Sequence, residues 1–179
     1  MESTTSHRFR WTAVGLALAL GAGGAAWWVT HPDVFGDAGG YSLSTAREEV
    51  GTSYYAGLVS PPLDAERREL ELRSATPVVA KNTADADLEV YLCEVDPGQG
   101  AVGVGSQRTA PTDVCSTFER VTDGTRLVVG GGEAYQELVI RVQAAQPGVV
   151  EVRGIELSYR DGLRRGTQVT GGHLTYRAR

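Results

Sequence analysis

Residues 147–162 read PGVVEVRGIELSYRDG, a stretch bounded by two turn dipeptides, Pro147–Gly148 and Asp161–Gly162. Between them the apolar residues alternate, as they do along a half-buried strand. The parity changes on the way. Val150 and Val152 occupy even positions, whereas Ile155, Leu157 and Tyr159 occupy odd ones, and Gly154 stands at the switch. An unbroken strand would turn one of these sets to solvent, so the pattern predicts a bulge or bend at Gly154. A bent strand between two turns suits the corner of a sandwich or barrel.

The flanking sequence carries the same signature. Short β candidates run over 51–59, 68–74, 77–81, 86–95, 126–129, 138–142 and 173–177, separated by Gly- and Pro-rich turns. The segment DAERRELEL (64–72) also reads as a short helix, and Thr45 with Glu48 reads as a capping box for one helical turn. Seven to nine short strands without a long helix predict an antiparallel, immunoglobulin-like β-sandwich over 47–179.

Upstream the chemistry changes. From Trp11 to Thr30 there is no charged residue, and most side chains are apolar. As a helix this run spans about 30 Å, the thickness of a bilayer's hydrocarbon core. Trp11 at one end and Trp27–Trp28 at the other suit the two interfaces. Arg8 and Arg10 precede the run, and Asp33 and Asp37 follow it, which predicts a cytoplasmic N-terminus and an extracytoplasmic remainder. The expected organisation is a cytoplasmic N-terminus (1–10), a transmembrane helix (11–30), a linker (31–46) and an exported domain (47–179). A cleaved signal peptide is the alternative, with Gly24-Ala25-Ala26 or Gly36-Asp37-Ala38 as the cleavage site. Gly15, Ala19 and Gly23 are spaced four apart, a pattern that lets two membrane helices approach.

Two glycine-rich stretches imitate phosphate loops, at residues 21–26 and at Gly98-x-Gly100-x-x-Gly103. The first lies inside the apolar run, and the second is followed by Pro111 and no helical period. Neither has the strand–turn–helix context that such a loop requires.

The whole layout resembles small signal-anchored extracytoplasmic immunoglobulin-like domains of actinobacterial type. The likeness rests on the order of anchor, linker and Gly/Pro-punctuated meander and on no diagnostic motif. It implies a fold and a location, and it carries no catalytic residue.

Composition narrows the function. The net charge is −5, a poor match to nucleic acid, which needs a strong positive field. Two cysteines and three histidines are too few for a Cys/His zinc set, and the only methionine is Met1, so a blue-copper site has no axial ligand. No cofactor is implied. Cys93 and Cys115 are not a C-x-x-C pair, and export predicts a disulfide between them. His173 is the one histidine well inside the domain, and it has no G-x-S-x-G partner. Alternating carboxylates at Asp85, Asp87 and Glu89, and at Glu69 and Glu71, read as solvated strand faces, since no calcium loop surrounds them. The three tryptophans lie at the apolar run, which leaves no evident aromatic platform for sugar.

Charge is unevenly placed. Residues 151–179 hold six arginines against three carboxylates, and the rest of the domain is acidic. Arg160, Arg164, Arg165, Arg177 and Arg179 form a candidate patch for an anionic cell-wall polymer, lipid headgroups or an acidic envelope protein. Edge-strand protection by charge is the competing reading. The expectation is a non-catalytic module held at the plasma membrane by a single span.

Overall fold

The computed structural model describes residues 34–36, 38, 41–61, 65–95, 105–131 and 135–179. The expected transmembrane helix, with Gly15, Ala19 and Gly23, lies outside them, as does the Gly98–Gly103 motif. Among the described residues there is no helix long and apolar enough to cross a membrane.

The described residues form two sheets facing each other, a β-sandwich. One contains β1 (Ser42–Glu48), β3 (Arg68–Asn82), β7 (Arg126–Val129), β9 (Gly148–Asp161), β10 (Arg164–Thr170) and β11 (His173–Ala178). Its order is β1-β11-β9-β3-β7, with β10 also on β9. The other contains β2 (Ser53–Val59), β4 (Asp87–Val95), β5 (Ser106–Gln107), β6 (Cys115–Arg120) and β8 (Tyr135–Gln143), in the order β5-β2-β8-β4-β6. All pairings are antiparallel except β1 with β11, which is parallel. That pair departs from the expected all-antiparallel arrangement. Thr45 and Glu48 lie in β1 and cap no helical turn, and 68–72 is strand.

The bend at Gly154 is present. Across β3, Ile155 faces Pro77 and Val152 faces Val79, so β9 uses three steps where β3 uses two. Gly154 absorbs the extra residue at φ 106°. Val150, Val152, Ile155, Leu157 and Tyr159 are therefore all buried on one side. Opposite β3, β9 is lined end to end by β10, from Arg164 to Thr170, and then by β11, from Leu174 to Ala178.

The core lies between the sheets. Leu138, Ile140 and Val142 of β8 and Ala56 and Leu58 of β2 meet Leu70, Leu72, Leu157 and Leu174 of the facing sheet in one cluster. Tyr54 and Tyr176 pack across the gap with ring centroids 5.8 Å apart. The stretch read as a linker also enters this core. Val34, Phe35 and Ala38 are buried, and Phe35 meets Tyr159 edge to face at 5.4 Å. The Thr170 hydroxyl donates to the Ala38 carbonyl at 3.2 Å.

Candidate functional site

Because β8 turns Leu138, Ile140 and Val142 inward, strand alternation turns Val139 and Arg141 to the sheet's outer face. Arg141 stands there between Tyr55 of β2 and Glu89 of β4. Its guanidinium bonds Glu89, Gln143 and, at 3.2 Å, the Ser53 hydroxyl, with Asp87 at 3.6 Å. Glu89 also accepts from the Tyr91 hydroxyl at 2.8 Å and pairs with Arg120 at 3.0 Å. Only 14% of its side chain is exposed.

The Tyr91 hydrogen bond holds the Glu89 carboxyl below the usual carboxylate range; burial opposes this, and Arg141 and Arg120 add to it. Burial, then the bond to Glu89, pushes the Tyr91 phenol up. Burial works against the Arg141 charge, yet Glu89 lifts its pKa. Glu89 is therefore ionised at neutral pH and engaged by three donors, so it has no proton to give as a general acid.

Beside this network lies an aromatic cluster that the placement of the tryptophans does not reveal. Tyr91 stacks on Phe118 with centroids 4.7 Å apart and planes 7° apart. Tyr55 packs edge-on against Phe118 at 5.9 Å and against Tyr91 at 6.4 Å. Beneath them Cys93 and Cys115 are bonded, with Cα atoms 5.3 Å apart, as expected from the sequence. Cys93, Cys115, Val95 and Val139 form a second buried cluster on this outer face, flanked by Val114 and the three rings.

A different arrangement closes the far end of the sandwich. Glu48, 5% exposed, receives the Arg108 guanidinium at 2.6 Å and 3.3 Å, in a recess that Arg47, Glu49, Thr52 and Arg179 also line. This bond raises the Arg108 pKa. The fully buried Tyr176 hydroxyl has no partner among the described residues, and burial, then Glu48, raises its pKa.

The near end carries the β9–β10 hairpin. Arg164 faces Asp161, so the two turn residues are Gly162 and Leu163, one position later than the Asp161–Gly162 signal implies. Arg165 faces Arg160, which donates through Nε to the Gly162 carbonyl at 2.8 Å. Glu69, Glu71, Arg126 and Arg160 line a shallow groove beside the turn.

The five arginines of the expected patch are thus divided. Arg160, Arg164 and Arg165 gather at the near end. Arg177 faces Val149 and bonds Ser44 at 2.8 Å, and Arg179 lines the Glu48 recess. Eleven residue steps along β9 separate Arg160 from Val149, about 35 Å. His173 is exposed on β11, and its backbone donates to the Tyr41 carbonyl. Asp85 sits in the turn before β4, while Asp87 and Glu89 share a face; Glu69 and Glu71 meet Arg126 and Arg73. Among the described residues no three His, Cys, Asp or Glu side chains converge as metal ligands would.

No family model and no curated protein matches the chain. Among solved structures, the chain is similar to one described as "Structure of the N-terminal domain of PorA", at 11% identity and a TM-score of 0.36. The match covers 84% of this chain and 95% of that one.

Proposed function

We propose that this protein is a single-pass plasma-membrane protein whose immunoglobulin-like β-sandwich stands outside the membrane as a non-catalytic binding or assembly module for another envelope component. The observation that carries this reading is the uncharged run from Trp11 to Thr30, with arginines before it and aspartates after it. The Cys93–Cys115 bond supports it, because an oxidising compartment keeps such a bond closed. The half-buried rings of Tyr55, Tyr91 and Phe118 offer the apolar part of a partner surface, with Arg120 at its rim. The alternative reading is an accessory subunit whose helix pairs with a membrane enzyme or transporter through Gly15, Ala19 and Gly23.

The test is topology. Protease added to intact cells is expected to digest the domain and spare a reporter fused to the N-terminus. Alkaline carbonate is expected to leave the chain in the membrane, and a shortened chain in the medium would instead establish cleavage. A protected domain in intact cells would overturn the reading.

A further inference from the structure

The β9–β10 turn sets an apolar side chain among arginines at the end of the molecule where the chain enters. Leu163 is 86% exposed, more than any other large apolar residue among those described. Arg164 and Arg165 follow it, and Arg160 stands opposite Arg165. Around this end Arg68, Arg126, Arg160, Arg164 and Arg165 outnumber Glu66, Glu69, Glu71 and Asp161, and Arg68 and Arg126 already meet carboxylates there. Further along the same face the arginines stop: Ser158 pairs with Thr167 and with Ser74, and Glu156 pairs with Val169 and with Thr76.

The path of the chain says what this tip faces. Phe35 is fully buried against Tyr159, and Tyr159 lies across from Gly166 in the same hairpin. Leu163 is four residues beyond Tyr159, at most about 14 Å along the strand. Thr30 ends the apolar run and Val34 is already packed in the core, so four residue steps, also at most about 14 Å, join the two. If the run spans the bilayer, the end of the sandwich that carries the hairpin is held within reach of the headgroup layer, which is itself several ångströms deep.

We infer that the β9–β10 hairpin tip docks on the bilayer that holds the chain's own span, with Leu163 in the headgroup layer and Arg160, Arg164 and Arg165 on the phosphates of anionic lipids. The inference rests on the proposed membrane span. An exposed leucine beside arginines suits this boundary, where the side chain leaves water and guanidinium groups meet phosphate. The domain then lies on its near end, and the Glu48 recess and Arg177 point away from the membrane.

The test uses the full chain in vesicles of phosphatidylcholine, with or without about 30 mol% phosphatidylglycerol. Both native cysteines are bonded, so Leu163→Cys and Ala145→Cys each offer one thiol for an environment-sensitive fluorophore. Ala145 is exposed in the turn before β9, at the far end. The label at 163 is expected to brighten by about threefold over that at 145 in the anionic vesicles and to be quenched by headgroup-level spin labels. Arg164→Gln with Arg165→Gln is expected to remove most of this gain. Equal emission at 163 and 145, in a chain that resists carbonate extraction, would overturn docking and leave the span intact. Release by carbonate would overturn the span; persistent anionic-lipid brightening at 163 in that case would still support the tip as a lipid contact.

Discussion

Glu89 and Gly154 are decided by their immediate surroundings. Glu89 accepts from a phenol and two guanidinium groups at a half-dry position, which is why its folded pKa lies below the ordinary carboxylate value. A depressed carboxyl contributes stability above its unfolded pKa, about 4.3, and that contribution is lost as pH falls through the folded value. Glu89→Gln is expected to cost about 1–3 kcal/mol at neutral pH, because Arg141 is left half-buried with its main partner weakened. Urea midpoints followed from pH 7 to pH 3 are expected to stay apart down to about pH 4.3 and to draw together as the pH falls further toward the folded value. Curves that stay parallel throughout would show that Glu89 is not the titrating group. Gly154 is a matter of geometry. Its φ of 106° is costly for any side chain, and an added Cβ would lie 2.6 Å from the Thr170 carbonyl oxygen. Gly154→Ala is therefore expected to destabilise by about 2–4 kcal/mol, read as a lower denaturation midpoint, and an unchanged midpoint would mean that β9 straightens without strain.

Elements were legible wherever alternation was strong. β2, β4 and β8 each carry three apolar residues in a row at alternate positions, and the bend in β9 could be placed to the residue because a parity switch has one physical remedy. β1 and β6 escaped notice for the opposite reason. SLSTARE and CSTFER have few large apolar side chains, and both are edge strands held by one neighbour's ladder and by Thr45, Cys115 and Phe118. The aromatic cluster was hidden with β6, since Tyr55, Tyr91 and Phe118 meet only when three non-consecutive strands are ordered. The buried Glu48 had no signal, because its partner Arg108 is 60 residues away in the sequence. The disulfide was legible through composition and supports the β4–β6 edge. Replacing Cys93 and Cys115 by alanine is expected to cost about 3 kcal/mol in the chain-entropy picture, and hence to lower Tm by about 6–12 °C for a domain of this size. Calorimetry decides it, and a Tm unchanged in the double variant would show that the ladder alone holds the edge.

At the scale of the whole molecule, the structure brings the domain close to the end of the apolar run, and so close to a bilayer if that run spans one as proposed. Residues 31–46 look like a flexible spacer in composition, yet Phe35 fills the near end of the core and β1 begins at Ser42. A fully buried phenylalanine is worth several times the thermal energy, so Phe35 anchors the chain to the sandwich only five residues after Thr30 ends the apolar run. On the proposed membrane span, orientation depends on that shortness: a long tether would let the domain tumble, and a short one would present the β9–β10 tip to the bilayer and the opposite end to the surroundings. Phe35→Ala separates these effects. It is expected to cost about 3–5 kcal/mol and to release the segment up to Tyr41, whose hydroxyl still bonds the Gly57 carbonyl. Circular dichroism of the variant is expected to keep its β signature, because both sheets retain their ladders. In anionic vesicles a fluorophore at position 163 is expected to lose most of its gain over one at position 145, since the tether has roughly trebled in length. A β signature with undiminished brightness at 163 would show that the hairpin finds the lipid surface unaided, and that the Phe35 contact stabilises the sandwich without orienting it.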